Sequence, residues 1–397
     1  MSAPVVVVGA GIGGVRTVQR LRAWGHDGRI VVIGAEPHRP YKRPPLSKDV
    51  LAGGELAELP ELLGAEAEDA LDVDWWRGVR ARALDTRRRV VVTDAGDVAY
   101  RDVVVATGVV ARRVPGLPGL VLRTWDDAQL LGRQLAPDRV VAVVGAGVLG
   151  CEIAATAARV GCEVHLVDVA PGPMTRVVGP LVAAEISALH AEHGIRLHLA
   201  TSVAVGGFGR LELSDGTGLD ADVVVHAVGV EPDVAWLAGS GLDLAGGVVT
   251  DGRGRASVAG VHAVGDVAVW DGRRHEHWTA ALEQADVVAA DLVGRELPAP
   301  PVPYWWSDQH GVTLQGLGDT AAPDVWFGRW GPQRRRVALY ARDGVLVGAV
   351  GFAAPAAVMP LRVPIQQGVP VAEVAPRLAA TPATTLATDP AGSTPAG

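Results

Sequence analysis

Apolar residues fall into two patterns along this chain. In the first, short valine- and isoleucine-rich runs lack polar alternation, at 5–8, 30–33, 103–105, 140–144, 164–167, 223–225 and 261–264. Such runs predict strands buried on both faces of a parallel sheet. In the second, at 79–100 and from about 304 to 375, apolar and polar residues alternate around turn glycines. That spacing predicts antiparallel strands, with 336–340 and 345–350 as one pair. Residues 280–293 read as a helix, and Arg87, Arg88 and Arg89 as a solvated hairpin edge.

Two of the buried runs end in the same turn. Val5–Val8 leads into Gly9, Gly11 and Gly14, and the run at 140–144 into Gly145, Gly147 and Gly150. In Gly-x-Gly-x-x-Gly the first glycine allows the tight turn and the second lets the backbone approach a pyrophosphate. The third lets the following helix pack on its strand. That helix directs free N–H groups and a positive dipole end at the phosphates. Each unit then has a second strand with an acid just beyond it, Glu36 and Asp168, where a carboxylate holds a ribose hydroxyl. A repeat of this kind predicts an α/β chain with two Rossmann-type dinucleotide-binding domains and a C-terminal α+β domain.

Composition narrows the classes. The 397 residues are too many for one core, and 50 glycines suit many strand-to-helix turns. A net charge of −8 gives no support to nucleic-acid binding. No apolar run has the length of a membrane span, and the N-terminal run lacks the basic flank of a signal peptide. The only cysteines, Cys151 and Cys162, suit a reducing cytoplasm and make no disulfide framework. His190 with His193, and His275 with His277, lack further ligands at zinc spacing, so no metal is expected. Directly after Glu36, within the first unit, the stretch 37–48 holds four prolines and five cationic or histidine side chains, a rigid loop in which no helix is expected before Ser47.

Several stretches carry a resemblance: 41–48 (Tyr-Lys-Arg-Pro-Pro-Leu-Ser-Lys), Ala106-Thr107-Gly108, 145–152, Gly265-Asp266-Val267-Ala268, Glu276-His277-Trp278 and Trp305-Trp306-Ser307-Asp308-Gln309. With them the chain resembles the flavin-dependent ferredoxin reductases of bacterial oxygenase systems, which share the glutathione-reductase-like fold. The resemblance implies FAD on a discontinuous domain, 1–113 with 241–300, and NADH on 114–240. It also implies a flavin-covering, partner-binding domain at 301–376; the Thr-, Ala-, Pro- and Gly-rich end, from composition, predicts a disordered tail at 377–397. The implied activity is electron transfer from NADH through FAD to a small acidic iron–sulfur ferredoxin, which supplies a P450 or ring-hydroxylating oxygenase. A cytoplasmic location with no membrane or nucleic-acid partner goes with it.

The same resemblance assigns roles. Glu36 takes the FAD ribose, Arg43 its pyrophosphate and Asp266 its ribityl chain; Thr107, Gly108, Arg112, Gly229 and Gly265 complete the cofactor contacts. Lys48 lies near the flavin N5 and pairs with Glu152; these two are the catalytic candidates. Without the resemblance, Lys48 reads as a surface lysine and Glu152 as an ordinary helix residue. Trp306 is implied as an aromatic lid, and Trp278 as the start of backbone N–H groups at the flavin's pyrimidine end. The sequence departs from the family at 109–111 (Val-Val-Ala), at Asp168, where glutamate is usual, and in its tail, which lacks an arginine-rich run. Asp168 favours NADH over NADPH, because a 2′-phosphate would meet like charge. Trp330, Arg334, Arg335 and Arg336 are candidate ferredoxin contacts. Two other readings use the same residues: a flavoprotein reducing a small molecule such as oxygen, a quinone or a nitro compound, and a flavin-bound redox sensor.

Overall fold

The computed structural model describes residues 3–205, 210–297 and 301–379. The valine runs form two parallel five-stranded sheets. In the first, Val5–Val8 is central, paired in register with Ile30–Gly34 on one side and Asp102–Val105 on the other. Asp74–Arg77 and Val261–Ala263 are its edges. Unbroken apolar sequence is what this position requires, since all four valines of the central strand are at most 2% exposed. In the second sheet Val140–Val144 holds the same place, between Glu163–Val167 and Val223–His226. The strand Val261–Ala263 returns to the first sheet only after the whole second sheet has been built.

The alternating segments behave as their spacing predicts. Ala81–Asp85, Val90–Thr93 and Gly96–Ala99 form a three-stranded antiparallel sheet, with Arg87 to Arg89 in its exposed turn. A six-stranded antiparallel sheet begins with Tyr304–Gln309 and Val312–Gly318 and includes Arg335–Arg342 paired with Val345–Phe352. The predicted helix runs over Trp278–Leu292 and packs on Ile12–Ala23, where Arg16 and Arg20 both grip Asp286 at 2.6 and 2.9 Å.

Two expectations need correcting. The proline loop is not free of helix before Ser47: Pro44–Ser47 is a 3₁₀ turn, because prolines at its first positions surrender N–H groups that a helix start leaves unused. The C-terminal segment is ordered through Ala379: Arg377 closes a 3₁₀ turn and Leu378–Ala379 pairs with Arg329 and Trp330. An open strand edge and an apolar pocket for Leu378 outweigh the low-complexity sequence there. The rest of the expected tail, and residues 298–300 of the expected proline linker, lie outside the described residues.

Candidate functional site

Both glycine turns open into one cavity of about 1220 Å³. Their geometry explains each glycine. A Cβ on Gly9 would sit 2.1 Å from the Ala106 carbonyl oxygen, and one on Gly14 2.0 Å from that of Gly9. The second turn repeats this, at 2.3 Å for Gly145 against Ala227 and 1.8 Å for Gly150 against Gly145. Gly11 and Gly147 differ: a Cβ there meets no atom within 4 Å, and both residues face the cavity as N-caps of their helices without any side-chain cap. Each turn thus leaves bare backbone and uncapped N–H groups facing the cavity, the donor set a pyrophosphate requires.

At the first turn, Glu36 accepts from the Tyr41 hydroxyl at 2.5 Å and from Arg43 at 2.7 Å. Arg43 also donates to the Arg123 carbonyl at 2.5 Å, and Arg123 pairs with Asp266 at 3.1 Å. The group is mutually tuned. Burial pushes the Tyr41 hydroxyl well above its usual range, so it remains a donor. Burial works to lower Arg43, but Tyr41 and Glu36 outweigh it and its pKa rises. Arg123 is lowered, by burial first and by Arg43 second. Thr107 donates to the Asp233 carbonyl at 2.9 Å, and Gly108 and Gly229 take positive φ of 70° and 98°. Gly265, at φ 75°, donates its N–H to Gln284 at 2.7 Å beside Asp266.

At the second turn, both Asp168 oxygens bind main-chain N–H groups, of Ala146 at 2.5 Å and Ala170 at 2.7 Å. Arg176 lines the same end of the cavity.

The two ends meet at Glu152. This carboxylate is 5% exposed, on the helix Val148–Val160. One oxygen accepts from Lys48 at 2.9 Å and from the Ser47 hydroxyl at 2.5 Å; the other accepts from the Ser307 hydroxyl at 2.8 Å and the Asp308 N–H at 3.3 Å. Lys48 also donates to the Pro44 carbonyl at 3.0 Å. A buried carboxylate needs several donors, and here they come from the proline loop and from the C-terminal sheet.

Trp306 lines the cavity and stacks on Tyr304 with centroids 6.1 Å apart. Trp278 opens a helix whose N-cap, His277, makes no side-chain cap, so its first-turn N–H groups border the cavity. Burial raises the carboxyl pKa of Glu276 beside them.

The cavity therefore gathers Gly9, Gly11, Glu36, Arg43, Lys48, Thr107, Gly108, Gly145, Gly147, Glu152, Asp168, Gly229, Gly265, Asp266, Trp278 and Trp306. Gly14 and Gly150 stand behind it as packing glycines. Arg112 is not brought in: it lies off the wall, facing Glu231 at 3.9 Å. Arg336 is also not a free surface cation, since it pairs with Glu185 at 3.0 Å and stacks on Phe352. Sequence reasoning missed Arg123, which has no local signal. It also missed the roles of Ser47 and Ser307, although both lie in stretches that carry the resemblance. Cys151 and Cys162 are free and buried, and burial raises both thiol pKa values. Among the described residues no group of side chains is arranged to hold a metal ion.

Residues 3–285 match the family described as pyridine nucleotide-disulphide oxidoreductase, and 304–388 match the reductase C-terminal family. The ferredoxin–NAD(+) reductase subunit of the benzene 1,2-dioxygenase system of Pseudomonas putida is 37% identical over 338 residues, 81% of this chain and 82% of that one. Among solved structures, the ferredoxin reductase for the CYP199A2 system of Rhodopseudomonas palustris superposes with a TM-score of 0.87 at 32% identity, covering 94% of this chain and 97% of the other. The covalent putidaredoxin reductase–putidaredoxin complex gives 0.87 at 30% identity, covering 93% and 94%.

Proposed function

The chain belongs to the pyridine nucleotide-disulphide oxidoreductase family, and from that premise we propose that it is the reductase of an oxygenase electron-transfer system. It passes electrons from NADH, through FAD, to a small acidic iron–sulfur ferredoxin that supplies a P450 or ring-hydroxylating oxygenase. Bound FAD supplies the chemistry no side chain here has, accepting electrons as a hydride pair and releasing them singly. The observation that carries the reading is the Lys48–Glu152 pair, 2.9 Å apart, where two dinucleotide turns share one cavity.

The residue roles are those the resemblance implies, and the donor sets are compatible with them. Gly9, Gly11 and Gly14 shape the FAD turn. Glu36 accepts from its ribose, Arg43 offsets its pyrophosphate charge, and Asp266 accepts from the ribityl chain. Gly145, Gly147, Gly150 and Asp168 do the same for NADH. Glu152 holds the Lys48 ammonium at 2.9 Å on the cavity wall, where a fixed cation favours negative charge arriving beside it. Trp306 excludes water from one side. Residues 1–113 with 241–300 form the FAD unit, 114–240 the NADH unit and 301–376 the cover. With both thiols buried, no internal disulfide relay takes the electrons, so they leave to a partner. Two free thiols also favour the cytoplasm; among the described residues no helix is long and apolar enough to cross a membrane.

The test is NADH-driven cytochrome c reduction through a panel of ferredoxins. Rates should depend on the ferredoxin, and Lys48→Met should slow flavin bleaching by NADH about a hundredfold with FAD retained. Native turnover that ignores added ferredoxin would refute the reading.

A further inference from the structure

The helix Thr175–Glu192 is interrupted at Gly179, where φ is 72°, with Pro180 next in line. Just before its start, Met174 holds a left-handed conformation at φ 55°, rare for a side chain of its size. The turn between these two positions runs along the cavity wall, with Met174, Thr175, Arg176 and Val177 all lining it. Its inner end is fixed to the second glycine turn, because the Met174 N–H donates to the Ala146 carbonyl at 2.8 Å. Ala146 is also the residue whose N–H binds Asp168. A displacement of this turn would therefore move Gly145, Gly147 and Asp168 together.

What holds the turn comes from elsewhere in the chain. The kink breaks the helical hydrogen-bond ladder, and two hydroxyls of the C-terminal domain, one on a strand and one in the turn after Gly318, take two carbonyls there. Tyr340, fully buried, donates to the Val178 carbonyl at 2.7 Å, and Thr320 donates to the Val177 carbonyl at 2.7 Å. The Thr320 hydroxyl is itself oriented by Trp305, whose indole N–H reaches it at 3.3 Å. Gln309 adds a third tie, its amide N–H on the Met174 sulfur at 3.3 Å. Three side chains of the C-terminal domain thus converge on Met174, Val177 and Val178 of another unit. The same contact is continuous apolar core, in which Met174 and Val178 pack with Tyr340, Leu314 and Phe352.

We propose that Tyr340 and Thr320 are positioning residues for the nicotinamide nucleotide: they clamp the turn 174–179 against the second glycine turn, so that the C-terminal sheet sets the affinity for NADH as well as covering the flavin. This rests on the reading of the second turn as the NADH site. Neither residue touches the cavity, so each acts through the backbone it holds. The hydroxyls are the active groups; the rings and methyls supply packing that conservative variants keep.

Calorimetric titration of the FAD-loaded protein with NAD+ tests this. Tyr340→Phe and Thr320→Val should each weaken NAD+ binding about fivefold, the scale of one buried hydrogen bond, and the double variant more. FAD content and the flavin absorption spectrum should not change, and in turnover KM for NADH should rise with kcat nearly constant. Thr320→Ser, which keeps the hydroxyl, should bind as the native protein does. Ser187→Ala removes a hydroxyl bonded to the Ala183 carbonyl farther along the same helix, and it should leave binding unchanged. If Tyr340→Phe fails to fold, Thr320→Val and its serine rescue decide. Native affinity in the threonine-to-valine variant would overturn the proposal, and so would an equal loss in Ser187→Ala, since that would mean general loosening. A native protein that fails to bind NAD+ would instead overturn the assignment of the second turn, and the clamp with it.

Discussion

The two glycine turns are near copies, yet the acids beyond them are held in opposite ways. Glu36 is bound by side chains, Tyr41 and Arg43, which continue through Arg123 to Asp266 on a distant strand end. Among the described residues, Asp168 is bound by backbone N–H groups, those of Ala146 and Ala170, and Val169 beside it is 63% exposed. A network that spans the unit must be broken at several points before its ligand escapes. The Asp168 arrangement is smaller and more open, and its tie to the rest of the chain runs through the backbone, from Ala146 to Met174. Under the proposed assignment the difference matches the two ligands: FAD would be retained through every turnover, and NADH would leave as NAD+ each time. One motif thus serves a resident and a visitor, and the distinction lies in what surrounds the acid.

Breaking the first arrangement should have the largest effect. Glu36→Gln removes the charge that holds both Tyr41 and Arg43, and FAD should bind about a hundredfold more weakly, by fluorescence titration of the stripped protein. Unchanged affinity would mean that the network is not the retention device. Altering the second should do less and affect only nucleotide choice. Asp168→Asn should narrow the preference for NADH over NADPH by about tenfold in the rate of flavin reduction, with FAD retained. Equal rates with both nucleotides in the native protein would remove the basis for that expectation. The smallest effect tests whether anything besides the two turns handles electrons. A Cys151→Ser, Cys162→Ser double variant should show ferredoxin-dependent rates indistinguishable from native. Loss of transfer, with FAD bound and still bleached by NADH, would place a thiol in the path.

The contrast between the turns also marks what could be read from sequence. The valine runs, both glycine turns, Glu36 and Asp168 were legible because each is a local pattern: burial on two faces, a tight turn, and an acid at a fixed offset. The pairing of Lys48 with Glu152 was available only through resemblance, since nothing in the spacing of two residues so far apart brings them to 2.9 Å. Arg123 was not legible. It sits in an unremarkable segment and acquires its role from Arg43 and Asp266, which folding brings to it. Arg112, which the resemblance placed at the cofactor, has Glu231 as its ion-pair partner at 3.9 Å and does not line the cavity. Periodicity records which face of an element is buried, and it carries no record of which distant side chain will arrive there.

The short strand Leu378–Ala379 covers part of one edge of the C-terminal sheet. The C-terminal sheet would otherwise end on Asp324–Trp330, with the hydrogen-bonding groups at Arg329 and Trp330 unmatched. Bare strand edges recruit strands from other copies of the same chain. Two residues of a sequence that looks dispensable occupy that position, so a chain cut back to remove them would trade an intramolecular partner for an intermolecular one, and would be the form most prone to clump.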